Sequence, residues 1–132
     1  MSILTHHPPI SQVLQEAHES AFVGLKEYDA LARYLAGKLG RPTVARLTGT
    51  PDPNTVTRWA MRRNEPGEAR IDRMRHAAYV FNALVGLGLS ETNARQWFRG
   101  ANPSLGDEMP MDVLKRDDYQ RVIAAVRSHA SA

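Results

Sequence analysis

The chain has 132 residues, a formal net charge of +3 and 42% hydrophobic residues, which allows one ordinary domain or two small ones sharing a core. It contains no cysteine, which excludes disulfides and thiolate metal sites. Residues 1–15 do not resemble a secretion signal and no apolar run is long enough to span a bilayer, so we expect a cytoplasmic protein without membrane contact.

Apolar residues recur at helical spacing along the chain, and the alternation typical of strands is almost absent. The first apolar stripe covers residues 10–21, and the residues before Pro8 are expected to form a flexible end. A second stripe at 28–39 is closed by a glycine and a proline at 40–42. The sequence therefore predicts an all-α fold.

A short helix, a tight turn and a second helix are predicted next. The first helix opens at Pro42, and residues 49–52 form the turn. Asp52 can cap the second helix with Pro53 at its first position, and we expect that helix to end near Arg63. The residues of the second helix that should face the core are Val56, Trp59 and Ala60.

The second half of the chain carries four more predicted helical segments and a loop. A long helix covers about residues 68–87, and its seam from Ile71 to Val85 is either internal core or a dimer interface. Ser90 should cap the next helix, and a loop rich in proline and glycine follows at 101–110. The last elements are a short helical turn at 111–115 and a helix starting at Asp117 or Asp118. We divide the chain into residues 1–67, with the helix-turn-helix, and residues 68–132.

Positive charge is concentrated in the middle of the chain. Residues 33–75 hold ten basic and four acidic side chains, a net charge of +6, whereas residues 1–32 carry −3 and residues 76–132 are balanced. This distribution suits contact with a polyanion, although a solvated basic face would have the same composition.

The two short helices between Pro42 and Arg63 have the segment lengths of a helix-turn-helix, whose second helix enters the major groove of DNA. Thr55, Arg58 and Arg62 are spaced so that they project together from one helix, and arginine can bond both acceptors of guanine. Arg46, Arg63 and Arg70 suit phosphate contacts better. An ordinary helical hairpin with a basic outer face is the alternative. The predicted DNA-binding residues are Thr43, Arg46, Asn54, Thr55, Arg58, Arg62 and Arg63.

Catalytic signatures are missing from the sequence. It contains no nucleophile elbow, phosphate loop, HExxH or GxGxxG motif. The pair His6–His7 lacks further spaced ligands, and Asp117–Asp118 fits a helix cap, so neither suggests a metal site or a carboxylate pair. We expect a protein that is not an enzyme and that has no cofactor and no metal.

A composite motif lies in the second half. Trp97 is followed by Asn-Pro-Ser-Leu-Gly at 102–106, by Pro-Met-Asp-Val-Leu at 110–114 and by Tyr-Gln-Arg-Val at 119–122. This order resembles the toxin-binding domain of the Xre/MbcA/ParS antitoxins, with Val113 replacing the first leucine of a pair. Residues 78–80 and the Val-x-x-Trp at 56–59 also look like the Xre half of such proteins, and the resemblance covers about residues 42–128.

The resemblance implies a partner and a mechanism. Family members pair with a RES-domain toxin that destroys NAD, cover the entrance of its active site, and repress their own operon as DNA-binding proteins. The residues implied in toxin binding are Trp97, Asn102, Pro103, Leu105, Pro110, Tyr119, Arg127 and His129.

The motif residues also have a purely structural interpretation. Asn102 can bond nearby backbone amides in a turn, and Leu105 and Pro110 can hold the loop on the core. Trp97 and Tyr119 can likewise fix the conformation without touching a partner. The tail at 127–132 either enters a cleft of the partner or frays.

The sequence therefore predicts an antitoxin that binds a cognate RES-domain toxin and double-stranded operator DNA, the latter as a homodimer. One alternative is a stand-alone helix-turn-helix regulator of phage or plasmid type without a toxin. Another is an interaction module that does not bind DNA.

Overall fold

The structure is a computed structural model that describes residues 8–131, so the predictions for the segment before Pro8, including His6–His7, lie outside the described residues. Apart from one isolated bridge between Asn102 and Glu108, these residues form helices and connections only, which confirms the all-α prediction. None of the described helices combines the length and apolar character needed to cross a bilayer. The α-helices are α1 Ile10–Glu19, α2 Tyr28–Leu39, α3 Arg41–Thr48, α4 Pro53–Ala60, α5 Glu68–Gly86, α6 Glu91–Trp97, α7 Pro110–Lys115 and α8 Tyr119–Ser131. A π-helical turn, Ser20–Gly24, extends α1, and a 3-10 turn, Pro103–Leu105, precedes α7.

Local capping explains where several helices begin. The Asp52 carboxylate accepts a hydrogen bond from the Asn54 amide at 2.9 Å, with Pro53 in the first helical position of α4. The Ser90 hydroxyl accepts one from the Asn93 amide at 3.0 Å and starts α6. Both caps confirm the sequence predictions, because each side-chain oxygen satisfies an amide that has no partner within its helix.

Helix α4 is shorter than predicted. It ends at Ala60, and Arg62 has a left-handed backbone with φ 59°. The Arg63 amide turns back to donate to the Arg58 carbonyl at 2.8 Å, which closes the helix end. The predicted end near Arg63 was therefore wrong, and Arg62 does not continue the helical face of Thr55 and Arg58.

Helix α5 forms the centre of the fold. It contacts α1, α2, α3, α6, α7 and α8, and one continuous core includes residues on both sides of the predicted boundary at 67. Met74, Ala78 and Phe81 of its seam are buried within the chain. The middle of the seam is thus internal core, which excludes these three side chains from a dimer interface, whereas Ile71 is partly buried and Val85 is exposed.

Helix α1 and the segment that follows it are both in contact with α5. The Arg75 guanidinium donates to the carbonyls of Ala21 and Leu25 at 3.3 and 2.6 Å, and to that of Lys26 at 2.5 Å. At the other end, a Cβ on Gly86 would lie 2.8 Å from Val13, so α1 packs against a backbone that has no side chain there. The described part of the first forty residues therefore belongs to the common core.

Candidate interfaces for DNA and for a partner protein

Helices α3 and α4 are joined by the four residues 49–52 and present one polar face. Val56 and Trp59 anchor α4 in the core, with Trp59 only 1% exposed. Thr55 and Arg58 lie on the outer side of α4, where the Arg58 guanidinium donates to the Thr55 hydroxyl at 3.0 Å. Two of the predicted base-contacting side chains are therefore adjacent on one helix.

Arg41 joins this face, although sequence reasoning missed it. Its guanidinium donates to the Thr57 hydroxyl at 2.8 Å and to the Asn54 amide oxygen at 3.4 Å. Asn54 is exposed, as predicted. In the sequence, Arg41 is recognisable only as a basic residue directly before Pro42. Its contacts with α4 depend on how α3 packs against α4, which the sequence pattern does not give.

Arg62 lies apart from this face. Its guanidinium is 3.3 Å from the Asp29 carboxylate and 5.4 Å from the centre of the Tyr28 ring. Burial raises the pKa of Asp29, but hydrogen bonding by Arg33 and the charge of Arg62 outweigh this and lower the pKa below its ordinary value. Arg62 thus links the end of α4 to the start of α2, and the prediction that it projects beside Arg58 was wrong. Arg63 is exposed in the turn after α4.

The remaining predicted DNA residues have other surroundings. Thr43 is 4% exposed, so its expected contact with DNA is corrected to a packing role at the start of α3. Arg46 forms a two-pronged ion pair with Asp112 of α7, at 2.8 and 2.9 Å. The Arg70 guanidinium donates to the Gly49 carbonyl at 3.4 Å.

A groove separates the α6–α7 connection from α8. We call it the α6–α8 groove; its volume is about 370 Å³. It brings together four residues implied in toxin binding, namely Trp97, Asn102, Pro103 and His129. Its other lining residues are small: Gly100, Ala101, Ser104, Ala125 and Ser128.

The loop on one side of this groove is held by its own hydrogen bonds. The side-chain oxygen of Asn102 accepts a hydrogen bond from the Ser104 amide at 2.9 Å. The backbone carbonyl of Asn102 accepts hydrogen bonds from the Leu105 and Asp107 amides, each at 2.9 Å. Arg116 pairs with Glu108 at 2.8 Å, which lowers the pKa of that carboxyl. The predicted turn role of Asn102 is confirmed. This side of the groove is held by hydrogen bonds within the chain and needs no partner to form.

Two implied contacts are buried and two lie outside the groove lining. Leu105 and Pro110 are buried, so direct contact with a partner is corrected to the packing role that the sequence also allowed. Tyr119 belongs to an aromatic cluster with His18 of α1, Phe22 of the π-helical turn, and His76 and Tyr79 of α5. Burial raises the pKa of Tyr79, and the charge of Arg127 lowers it by a smaller amount. The tail residues 127–131 continue α8.

In the aromatic cluster, the rings of His76 and Tyr119 stack with their centres 3.8 Å apart. Burial raises the pKa of Tyr119 well above its usual range. Burial also lowers the pKa of His76, and the carboxylates of Asp72 and Asp117 offset this only in part. His76 is half-buried, and its stacking partner comes from a distant helix.

Because the pKa of His76 is lowered in the folded chain, a fall in pH should destabilise the fold. The unfolded chain takes up a proton near pH 6.5, whereas the folded chain resists it to lower pH, so stability is lost as the pH falls below about 6.5. We expect His76→Phe, which keeps the stacked ring, to reduce the fall in melting temperature between pH 7.5 and 5.5. His18→Phe on the exposed side of the cluster is the control. An unchanged pH dependence in His76→Phe would contradict this assignment.

Comparison with known proteins places the chain in a family. No protein-family model matches it, and no solved structure matches it. The mycobacterial cidal antitoxin MbcA of Mycobacterium bovis, and the same protein from two strains of Mycobacterium tuberculosis, are 31% identical to it over 78 residues. The matched part is 59% of this chain and 68% of each relative. The chain therefore belongs to the family of the mycobacterial cidal antitoxin MbcA.

Proposed function

We propose that the chain is the antitoxin of a toxin–antitoxin pair and that its C-terminal half covers the active site of a RES-domain toxin that degrades NAD. Family membership supports the antitoxin role. The observation that carries the proposed binding site is the α6–α8 groove, which brings Trp97, Asn102 and Pro103 of the composite motif together with His129 of the tail.

The groove suits a protein partner for two physical reasons. Its lining of glycine, alanine and serine lets the main chain of a partner approach closely. The loop 102–108 is held by several backbone hydrogen bonds, so little conformational entropy is lost when a partner binds. An element of the toxin would therefore dock against a loop whose conformation is fixed by its own hydrogen bonds.

Co-expression tests the antitoxin role. The product of the adjacent gene, expressed alone, should arrest growth, and co-expression of this chain should restore it. Arrest that persists while both proteins are produced in soluble form would contradict the proposal. If the adjacent gene product is not toxic and this chain still binds its own promoter, the stand-alone regulator is favoured.

We further propose that α3 and α4 act as a helix-turn-helix that reads the promoter of the operon, with the chain acting as a homodimer. Asn54, Thr55 and Arg58 share the outer face of α4. Asparagine can pair with adenine, arginine can bond both acceptors of guanine, and the threonine methyl can contact the thymine methyl. Arg41 and Arg63 flank this face as cations suited to phosphates.

Arg58 is the side chain with the largest expected effect on operator binding. Arg58→Ala should weaken binding by about 1–3 kcal/mol, which is roughly 5- to 150-fold in Kd, because one two-pronged base contact is lost. Gel shift with the chain's own promoter at fixed salt measures it, and Arg95→Ala in α6 is the control. Equal shifts for Arg58→Ala and the unmodified chain would exclude this recognition face, and no shift for either would favour the interaction module.

A further inference from the structure

Two cations of the C-terminal half flank helix α3. Lys115 lines a groove with Pro51 and Pro53, at the turn before α4. Arg99 lines a second groove with Pro42 and Thr43, at the other end of α3. Arg46 borders both grooves, so the three basic residues follow one side of α3 in the order Arg99, Arg46, Lys115.

The stem of Lys115 lies against the turn between α3 and α4. A Cβ on Gly49 would be 3.7 Å from Cε of Lys115 and 3.9 Å from its Cγ. Gly49 itself has a left-handed backbone with φ 80°, which ends α3 and starts the turn. A lysine of α7 is therefore placed beside the turn that precedes α4 by direct packing.

Two acidic residues near α3 already form ion pairs with arginines. Asp112 holds Arg46 at 2.8 Å, and Asp117 holds Arg73 at 2.8 Å while Arg73 also donates to the Thr48 carbonyl at 2.8 Å. Within residues 8–131, neither Lys115 nor Arg99 has an ion pair or a side-chain hydrogen bond, and both are exposed. These two positive charges thus remain available to an anionic partner.

Helix α7, which carries Lys115, is fixed to α3 and to the end of α6. It packs on α3, with Val113 and Leu114 in the common core. The Met111 amide donates to the Phe98 carbonyl at 3.1 Å, which ties α7 to the end of α6 next to Arg99. Lys115 and Arg99 therefore lie on segments that are packed against α3 or hydrogen-bonded to α7.

We propose that Lys115 and Arg99 contact phosphates of the duplex that α4 reads, so that the half assigned to toxin binding is also part of the DNA interface. This inference rests on the proposed DNA-binding function. Such contacts would add affinity without base preference, because a phosphate carries no sequence information.

The test is the salt dependence of DNA binding by the full chain. The logarithm of the binding constant falls linearly with the logarithm of salt concentration, and each lost phosphate contact should reduce the slope by about 0.9. We expect this reduction for Lys115→Gln and for Arg99→Gln, with equal fractional loss of affinity on the operator and on an unrelated duplex. Lys26→Gln is the control, and thermal melting verifies that each variant is folded.

The outcomes separate the two claims. If the unmodified chain does not bind its operator, the proposed DNA-binding function fails. If it binds, and both variants melt normally but keep the slope of the unmodified chain, the phosphate contacts are overturned. A loss confined to the operator would also overturn them, because it would indicate base contact instead.

Discussion

Replacement of Trp59 by alanine is expected to lower the free energy of unfolding by about 3–5 kcal/mol. Trp59 is among the largest fully buried side chains, and it anchors α4 in the core. Its removal leaves a cavity that the surrounding helices can fill only in part. Domains of this size are stable by about 5–15 kcal/mol, so the loss is a substantial fraction of the total stability.

Urea unfolding followed by circular dichroism measures this effect. Trp97→Ala is the matched control, because Trp97 borders the α6–α8 groove and is only partly buried, so its loss should cost less. Both operator binding and partner binding should weaken in Trp59→Ala, since one core supports both surfaces. A Trp59→Ala chain as stable as the unmodified one, to within 1 kcal/mol or so, would contradict the anchoring role.

An arginine placed in the α6–α8 groove should abolish complex formation with the toxin. Ser128 lies on α8 and lines the groove, so Ser128→Arg projects a charged side chain into the proposed interface. Enclosing an unpaired charge in a protein interface costs about 3–5 kcal/mol, which is more than 100-fold in Kd. We expect complete loss of growth rescue at ordinary expression levels.

Ala124→Arg is the matched control for this variant. Ala124 is exposed on the same helix but does not line the groove, so the same side chain is added away from the proposed contact. Operator binding should be unchanged in both variants. If Ser128→Arg still binds the toxin as tightly as Ala124→Arg, the groove is not the toxin interface.

Local sequence signals were sufficient for the all-α fold and for the starts of α4 and α6. Asp52 with Pro53, and Ser90 before α6, act within a single turn of the chain, so their partners are fixed by adjacent residues. The burial of Val56 and Trp59 follows from helical periodicity in the same way. The turn at Asn102 was also predictable, because its side chain bonds an amide two residues away.

Interactions between distant segments could not be predicted. Arg62 was assigned to the face of α4 by its spacing, but Asp29 of α2 draws it to another side after α4 has ended. Arg46 was assigned to phosphates, and its pairing with Asp112 depends on how α3 packs against α7. The stacking of Tyr119 on His76 likewise requires that α8 crosses α5.

The measurement that tests the central claim most directly is NAD consumption by the purified product of the adjacent gene, titrated with this chain. If the chain covers the toxin active site, NAD consumption should fall in proportion to added chain and stop at a fixed stoichiometry. Addition of the Ser128→Arg variant should leave NAD consumption unchanged. Undiminished NAD consumption in the presence of excess folded chain would contradict the account.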